Sequence, residues 1–167
     1  FWVEVHLKHA VIGGEDRVLA VIRDITGRRE MQQALAESEA RFRTLTESSL
    51  AGVYIIQDGK FQYVNPIMAQ TFGYRPEEIV NHLGPPDLVH PEDRDRVDGN
   101  IQRRLSREEE AGSNLYRTLT KDGRTIFCQV LSRHAEYQGR PAIMGTILNV
   151  TANQLAQEAL QQSEERY

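Results

Sequence analysis

The stretch Val53-Tyr54-Ile55-Ile56-Gln57-Asp58-Gly59-Lys60-Phe61-Gln62-Tyr63-Val64-Asn65-Pro66 decides how this chain folds. Two β-branched and aromatic runs flank Asp58-Gly59, a dipeptide that tolerates the positive φ angles of a two-residue type I′ turn, so residues 53–64 predict a β-hairpin. Asn65-Pro66 then changes the character of the chain. Asn is a preferred helix N-cap, and Pro fits the first helical turn, where its missing N–H is not needed. Gly73 supplies the stop for a short helix that carries Met68 and Phe72 on one face.

Beyond this helix, Arg75-Pro76-Glu77-Glu78-Ile79 repeats the start signal with acids in the first turn. His90-Pro91-Glu92-Asp93-Arg94 does so again and opens a longer helix to about Arg107. Three consecutive helices are therefore expected. A strand at 114–120, a turn at Lys121-Asp122-Gly123, a strand from Arg124, a turn at Gln138-Gly139-Arg140-Pro141 and an apolar strand at 142–150 follow. This order of strands and helices predicts an α+β fold: a five-stranded antiparallel sheet with helices packed on one face.

The N-terminal part of the chain repeats the C-terminal part. Residues 1–42 align without gaps onto residues 126–167, an offset of 125. The identical pairs are Val5/Val130, His9/His134, Ala10/Ala135, Gly14/Gly139, Ile22/Ile147, Thr26/Thr151, Gln32/Gln157, Ala34/Ala159, Leu35/Leu160, Ser38/Ser163, Glu39/Glu164 and Arg41/Arg166. So long a period is foreign to solenoid repeats and fits tandem whole domains, one complete and one represented by its last part. Each copy reads strand, tight turn, strand, helix, with Thr26 or Thr151 as the helix N-cap. The first helix spaces Met31, Leu35, Ser38, Phe42 and Leu45 by alternating fours and threes, and the second continues this with Ala156, Leu160, Ser163 and Tyr167. That is the spacing of a coiled-coil seam.

Composition narrows the function. Apolar residues make up 40% and charged residues 26% of the 167 residues, which predicts a buried core. The net charge of −4 argues against a nucleic-acid module, since phosphate contacts need clustered Lys and Arg. No apolar run is long enough to span a bilayer, so no membrane contact is expected within this chain. The lone Cys128 cannot form an intrachain disulfide, and a reducing cytoplasm is the simplest compartment.

In order and spacing, Ala51-Gly52-Val53, Asp58-Gly59, Tyr63-Val64-Asn65-Pro66, Phe72-Gly73-Tyr74, Pro76-Glu77-Glu78, Val89-His90-Pro91-Glu92-Asp93-Arg94, Tyr116-Arg117 and Lys121-Asp122-Gly123 together resemble the PAS sensor family. Asp24-Ile25-Thr26 is similar to the signature that closes the last PAS strand before a signalling helix; the second copy departs from it with Asn149-Val150-Thr151. The resemblance implies residues 1–27 as the C-terminal hairpin of a preceding PAS domain, 28–43 as a helical linker, 44–151 as a complete PAS domain and 152–167 as the start of the next linker.

Placed on the family pattern, strand alternation turns Val53, Ile55, Gln57, Tyr116, Thr118, Cys128, Val130, Ser132, Gly145 and Ile147 inward, with Met68, Phe72 and Ile101 closing the space from the helices. These residues either fill a core or line a ligand cavity. Asp24, Thr26, Asn149 and Thr151 mark the junctions where a signal would pass from sheet to helix. No haem or flavin-adduct residue is found: the helix from Glu92 to Arg107 has no His, and Cys128 lies on a strand. No cofactor, metal site or catalytic group is expected, and His6 and His9 point to opposite faces of their strand. The resemblance implies a regulatory module that relays a ligand or conformational cue to an output domain. The alternatives are a ligand-free dimerisation spacer and a cofactor-based redox or light sensor. A homodimer through the linker helices is expected, and the apolar side chains of the first hairpin (Trp2, Val3, Val5, Val18, Val21, Ile22) require a covering surface.

Overall fold

The computed structural model describes residues 1–164, which fall into two compact units, Phe1–Leu45 and from Thr46 onward. In the first, β1 (Val3–Ile12) and β2 (Glu15–Asp24) pair as an antiparallel hairpin, and α1 (Thr26–Glu47) follows. Its Gly13-Gly14 turn has two positive φ angles, 65° and 83°, as a type I′ turn requires. The side chains of Trp2, Val5, Leu7, Val18 and Ile22 are exposed.

The second unit begins with β3 (Gly52–Gln57) and β4 (Lys60–Val64), joined by the expected turn with Asp58 and Gly59 both at positive φ. Four helices follow: α2 (Pro66–Phe72), α3 (Pro76–Ile79), α4 (Pro85–Leu88) and, after a 3-10 turn at Pro91–Asp93, α5 (Arg94–Leu105). Then come β5 (Ala111–Leu119), β6 (Thr125–Tyr137), β7 (Arg140–Asn149) and α6 (Thr151–Glu164). The sheet is antiparallel in the order β4-β3-β7-β6-β5. This is the five-stranded α+β arrangement read from the sequence. One helix more is present than the three expected. It is the single turn at Pro85–Leu88, capped by the Asp87 carboxylate, which accepts from the Gly84 N–H at 2.8 Å.

Asn65 shows how the fold is pinned. Fully buried, it accepts from the N–H groups of Val53 (2.9 Å) and Met68 (3.0 Å) and donates to the carbonyls of Thr46 (2.8 Å) and Ala51 (3.1 Å). One side chain thus caps α2 and ties it to the start of β3, with every amide atom satisfied.

The repeat in the sequence is a repeat in geometry. Every pair in the first hairpin, from Val3↔Asp24 to Ile12↔Glu15, recurs 125 residues later between Cys128↔Asn149 and Tyr137↔Arg140. The junctions also match. The Thr26 N–H donates to Asp24 Oδ1 at 2.8 Å and the Thr151 N–H to Asn149 Oδ1 at 3.0 Å. The Trp2 N–H donates to Thr26 Oγ1 at 2.9 Å and the Phe127 N–H to Thr151 Oγ1 at 3.0 Å. Asn149 therefore does with an amide oxygen what Asp24 does with a carboxylate, and the missing charge leaves the cap intact. Tyr167, placed on the second seam by its spacing, lies outside the described residues. No helix among the described residues is long and apolar enough to cross a membrane.

Candidate functional site

The sheet's inner face and the helices enclose a cavity of about 60 Å³. A water needs roughly 10–15 Å³ of such space, so the cavity suits a few waters or a ligand of a few heavy atoms. Tyr116 and Thr118 from β5, Val130 and Ser132 from β6, and Ile143 and Ile147 from β7 form part of its floor. Met68 and Phe72 from α2, Leu88 from α4, and Val97, Asn100, Ile101 and Arg104 from α5 close it. A second recess of about 150 Å³ shares Ile56, Val97, Ile101 and Ile143 and extends past Gln57, Asp58 and Arg94.

Of the residues expected to face this space, Met68, Phe72, Ile101, Tyr116, Thr118, Val130, Ser132 and Ile147 line it. Five do not. On β3 the phase is opposite to the expected one: Tyr54 pairs with Gly145 and Ile56 with Ile143, so Tyr54 and Ile56 face the cavity while Val53 and Ile55 lie on the other face. Gln57 lines the second recess instead. Its Nε2 donates to the carbonyls of Tyr137, Arg140 and Pro141, and its Oε1 accepts from Arg140, which ties β3 to the β6–β7 turn.

Cys128 and Gly145 face inward but are covered. The Thr118 hydroxyl donates to the Cys128 sulfur at 3.2 Å, and burial pushes the thiol up to about 11, so it is a neutral core group at pH 7. Over Gly145 lies the Tyr54 ring: a Cβ there would meet the Tyr54 hydroxyl oxygen at 2.4 Å. Burial pushes the Tyr54 hydroxyl well above its ordinary value, with Ser132 and Arg104 acting in the opposite direction.

The polar side of the cavity gathers around α5. Asn100 donates to the Tyr116 hydroxyl and accepts from Arg103, and the Arg96 guanidinium sits 4.6 Å from the Tyr116 ring centroid. Arg104 is only 2% exposed, and its Nη1 donates to the Asn100 carbonyl at 3.2 Å. Sequence reasoning named Ile101 but missed Val97, Asn100 and Arg104, although i, i+3, i+4 and i+7 spacing puts all four on one helical face.

The 3-10 turn before α5 is tied to β5 electrostatically. Asp93 accepts from the Arg117 N–H (2.8 Å), Nε (3.2 Å) and Nη2 (3.0 Å). The Arg117 guanidinium holds the Asp93 carboxyl down to about 2, against an ordinary value of 3.8. His90 Nδ1 accepts from the Glu92 N–H at 3.3 Å and so caps the 3-10 turn.

Comparison with known proteins places this geometry. The family model described as the PAS fold matches residues 61–147. Sporulation kinase A of Bacillus subtilis is 22% identical over 162 residues, covering 97% of this chain and 27% of the kinase. The methyl sulfide methyltransferase-associated sensor of Methanosarcina acetivorans is 30% identical over 131 residues, covering 75% of this chain and 12% of the sensor. The chain thus spans about a quarter or less of the length of these relatives. A solved sensory box histidine kinase/response regulator structure from Burkholderia thailandensis superposes with a TM-score of 0.58 at 25% identity, covering 75% of this chain and 96% of that one.

Proposed function

Because the chain belongs to the PAS fold family, we propose that it is a non-catalytic regulatory module that senses a small molecule and passes the result to an output domain elsewhere in a longer protein. The observation that carries this is the course of β6 and β7. Val130, Ser132, Ile143 and Ile147 on these strands wall the cavity, and the same strands meet at the Phe127–Asn149–Thr151 junction from which α6 starts. A ligand that repositions the strands acts on the helix directly, through hydrogen bonds rather than through a flexible loop. The kinase and sensor relatives support this reading of the output.

The module works as part of an array. The hairpin–helix unit before it reproduces β6, β7 and the start of α6 pair for pair, and the face equivalent to the cavity floor carries Val3, Val5, Leu7, Val18, Ala20 and Ile22. It is the C-terminal hairpin of a preceding domain of the same kind, whose body covers that face in the longer protein. Signals travel along α1 into the complete domain and along α6 out of it. The helices pair with those of a second copy, because their 4-3 seam leaves Met31, Leu35 and Leu160 exposed. No haem or flavin adduct takes part, and a featureless visible absorption spectrum of the protein as purified is the expected check.

Thermal-shift screening against small metabolites, followed by hydrogen exchange, tests the reading. A ligand that stabilises the domain and alters exchange at 149–160 supports it. A cavity that accepts nothing makes the module a ligand-free dimerisation spacer.

A further inference from the structure

Arg104 carries a charge that the protein leaves unanswered. Its guanidinium is buried against the polar side of the cavity, and Nε has no hydrogen-bond partner. Nη1 has only the Asn100 carbonyl, which satisfies a donor without balancing a charge. No Asp or Glu among the described residues forms an ion pair with it, whereas Arg117 is paired with both Glu92 and Asp93. Burying a cation without a counter-charge is among the costliest things a fold can do, and long charged side chains normally turn their heads to solvent instead. Arg104 is held inward by a seat shaped for it. A Cβ at Gly112 would stand 2.2 Å from Nη2, so the bare Cα of that glycine is what lets the guanidinium lie where it does.

We propose that the cavity is an anion site, and that its ligand is a small monocarboxylate whose head is gripped by Arg104. This rests on the sensing role given above and names the chemical class of the ligand. Nε is a donor left without a partner, and the planar guanidinium that carries it is the group whose donor geometry matches a carboxylate. Tyr54, Ser132 and Tyr116 stand around the same cavity with hydroxyl groups that can serve the remaining lone pairs. One cation calls for one negative charge, so a phosphate dianion would leave charge uncompensated. Phe61, Met68, Phe72 and Leu88 add apolar wall to the same cavity and suit a short aliphatic tail. Thr118 is left to the core by its bonds to Cys128 and the Ile126 carbonyl.

The test uses the full chain and isothermal titration with acetate, propionate and butyrate, set against propionamide, inorganic phosphate and chloride. Propionate is expected to bind at least about tenfold more tightly than propionamide, its neutral counterpart, since hydrogen bonds to a charged group gain the most from the charge. Arg104→Met should lose this preference while unfolding at an equal or higher temperature than the parent protein in the absence of ligand, because it removes an unpaired buried charge. If that variant does not fold, Gly112→Ala displaces the guanidinium instead and should weaken propionate by a similar factor; unchanged binding in it overturns the proposal. Equal binding of propionate and propionamide, or unchanged binding in Arg104→Met, also overturns the anion assignment while leaving small-molecule sensing intact. Phosphate or chloride binding more tightly than any carboxylate overturns the monocarboxylate class. If none of these compounds binds, the amide included, the anion site falls, while the sensing role is decided separately by the metabolite screen.

Discussion

Tyr54 and Gly145, paired across β3 and β7, occupy one volume: a Cβ on residue 145 would stand 2.4 Å from the Tyr54 hydroxyl oxygen and 2.8 Å from the Leu131 carbonyl oxygen. The ring that roofs this glycine is also a wall of the cavity. Gly145→Ala should therefore push Tyr54 toward the cavity and cost about 1–3 kcal/mol by overpacking. In a Tyr54→Leu background the cost should shrink, giving a coupling of about 1 kcal/mol between the two changes in urea unfolding. Additive effects would mean that the two side chains do not share space.

This pair also shows what the sequence conceals. On β5 and β6 alternation could be read, because Tyr116, Thr118, Val130 and Ser132, which line the cavity, alternate with more exposed or polar neighbours. On β3, Tyr54, Ile55 and Ile56 are all buried, and a strand covered on both faces carries no alternation to read. A register shift between Ile55 and Ile56 opposite β4 adds to the ambiguity. Arg104 was hidden for another reason. Beside Arg103 in the last turn of a polar helix, it reads as a solvated basic residue complementing the helix dipole. Only the glycine at 112, brought beside it by the sheet, reveals that it is buried. The hairpins, by contrast, were legible from Asp58-Gly59 and from Gln138-Gly139-Arg140-Pro141 between apolar strands, and both turns carry two positive φ angles.

Asp93 and Arg117 predict a pH dependence. The folded carboxyl titrates near 2, below its ordinary 3.8, so the pair stabilises the fold fully above about pH 4 and loses that contribution as the pH falls toward 2. The Asp93 side chain is 8% exposed, which keeps the interaction from being screened away. A contribution of about 2 kcal/mol follows from the size of the shift. Asp93→Asn should be less stable than the parent protein by about that amount at pH 7, and the two should converge as the pH approaches 2. A constant difference across this range would remove the ion pair from the account.

The seam on α1 predicts concentration-dependent dimerisation. Met31 and Leu35 are 72% and 60% exposed on the helix, an arrangement that wastes apolar surface unless a second helix covers it. Replacing both by Glu should weaken self-association at least about tenfold in sedimentation velocity, since each buried aliphatic side chain contributes roughly 1.5–3 kcal/mol. The short seam and the Ser38 within it limit the affinity of the parent protein. A parent protein that sediments as a monomer at all accessible concentrations would show that the helices act singly.

The two junctions predict a shared mechanism with one testable difference. At Thr151 the hydroxyl accepts from the Phe127 N–H at 3.0 Å and donates to Asn149 Oδ1 at 2.6 Å, so one side chain fastens the start of α6 to β6 and to the end of β7. Thr151→Val keeps the shape and removes both bonds, leaving the Phe127 N–H without its side-chain acceptor. The expected cost is about 1–2 kcal/mol, the range for losing a helix cap. It should be paid locally: hydrogen exchange should speed up across the first turns of α6, while the amides of β3 and β7 keep their protection. The same change at Thr26 should fray α1, but Asp24 there is a carboxylate held below its ordinary value by the Thr26 N–H and hydroxyl, so that junction should loosen on acidification whereas the Asn149 junction should not. If ligand binding in the cavity is relayed through Thr151, the Val variant should still bind yet no longer show a ligand-dependent change in α6 exchange. A ligand response that survives the substitution would route the signal through another contact between sheet and helix.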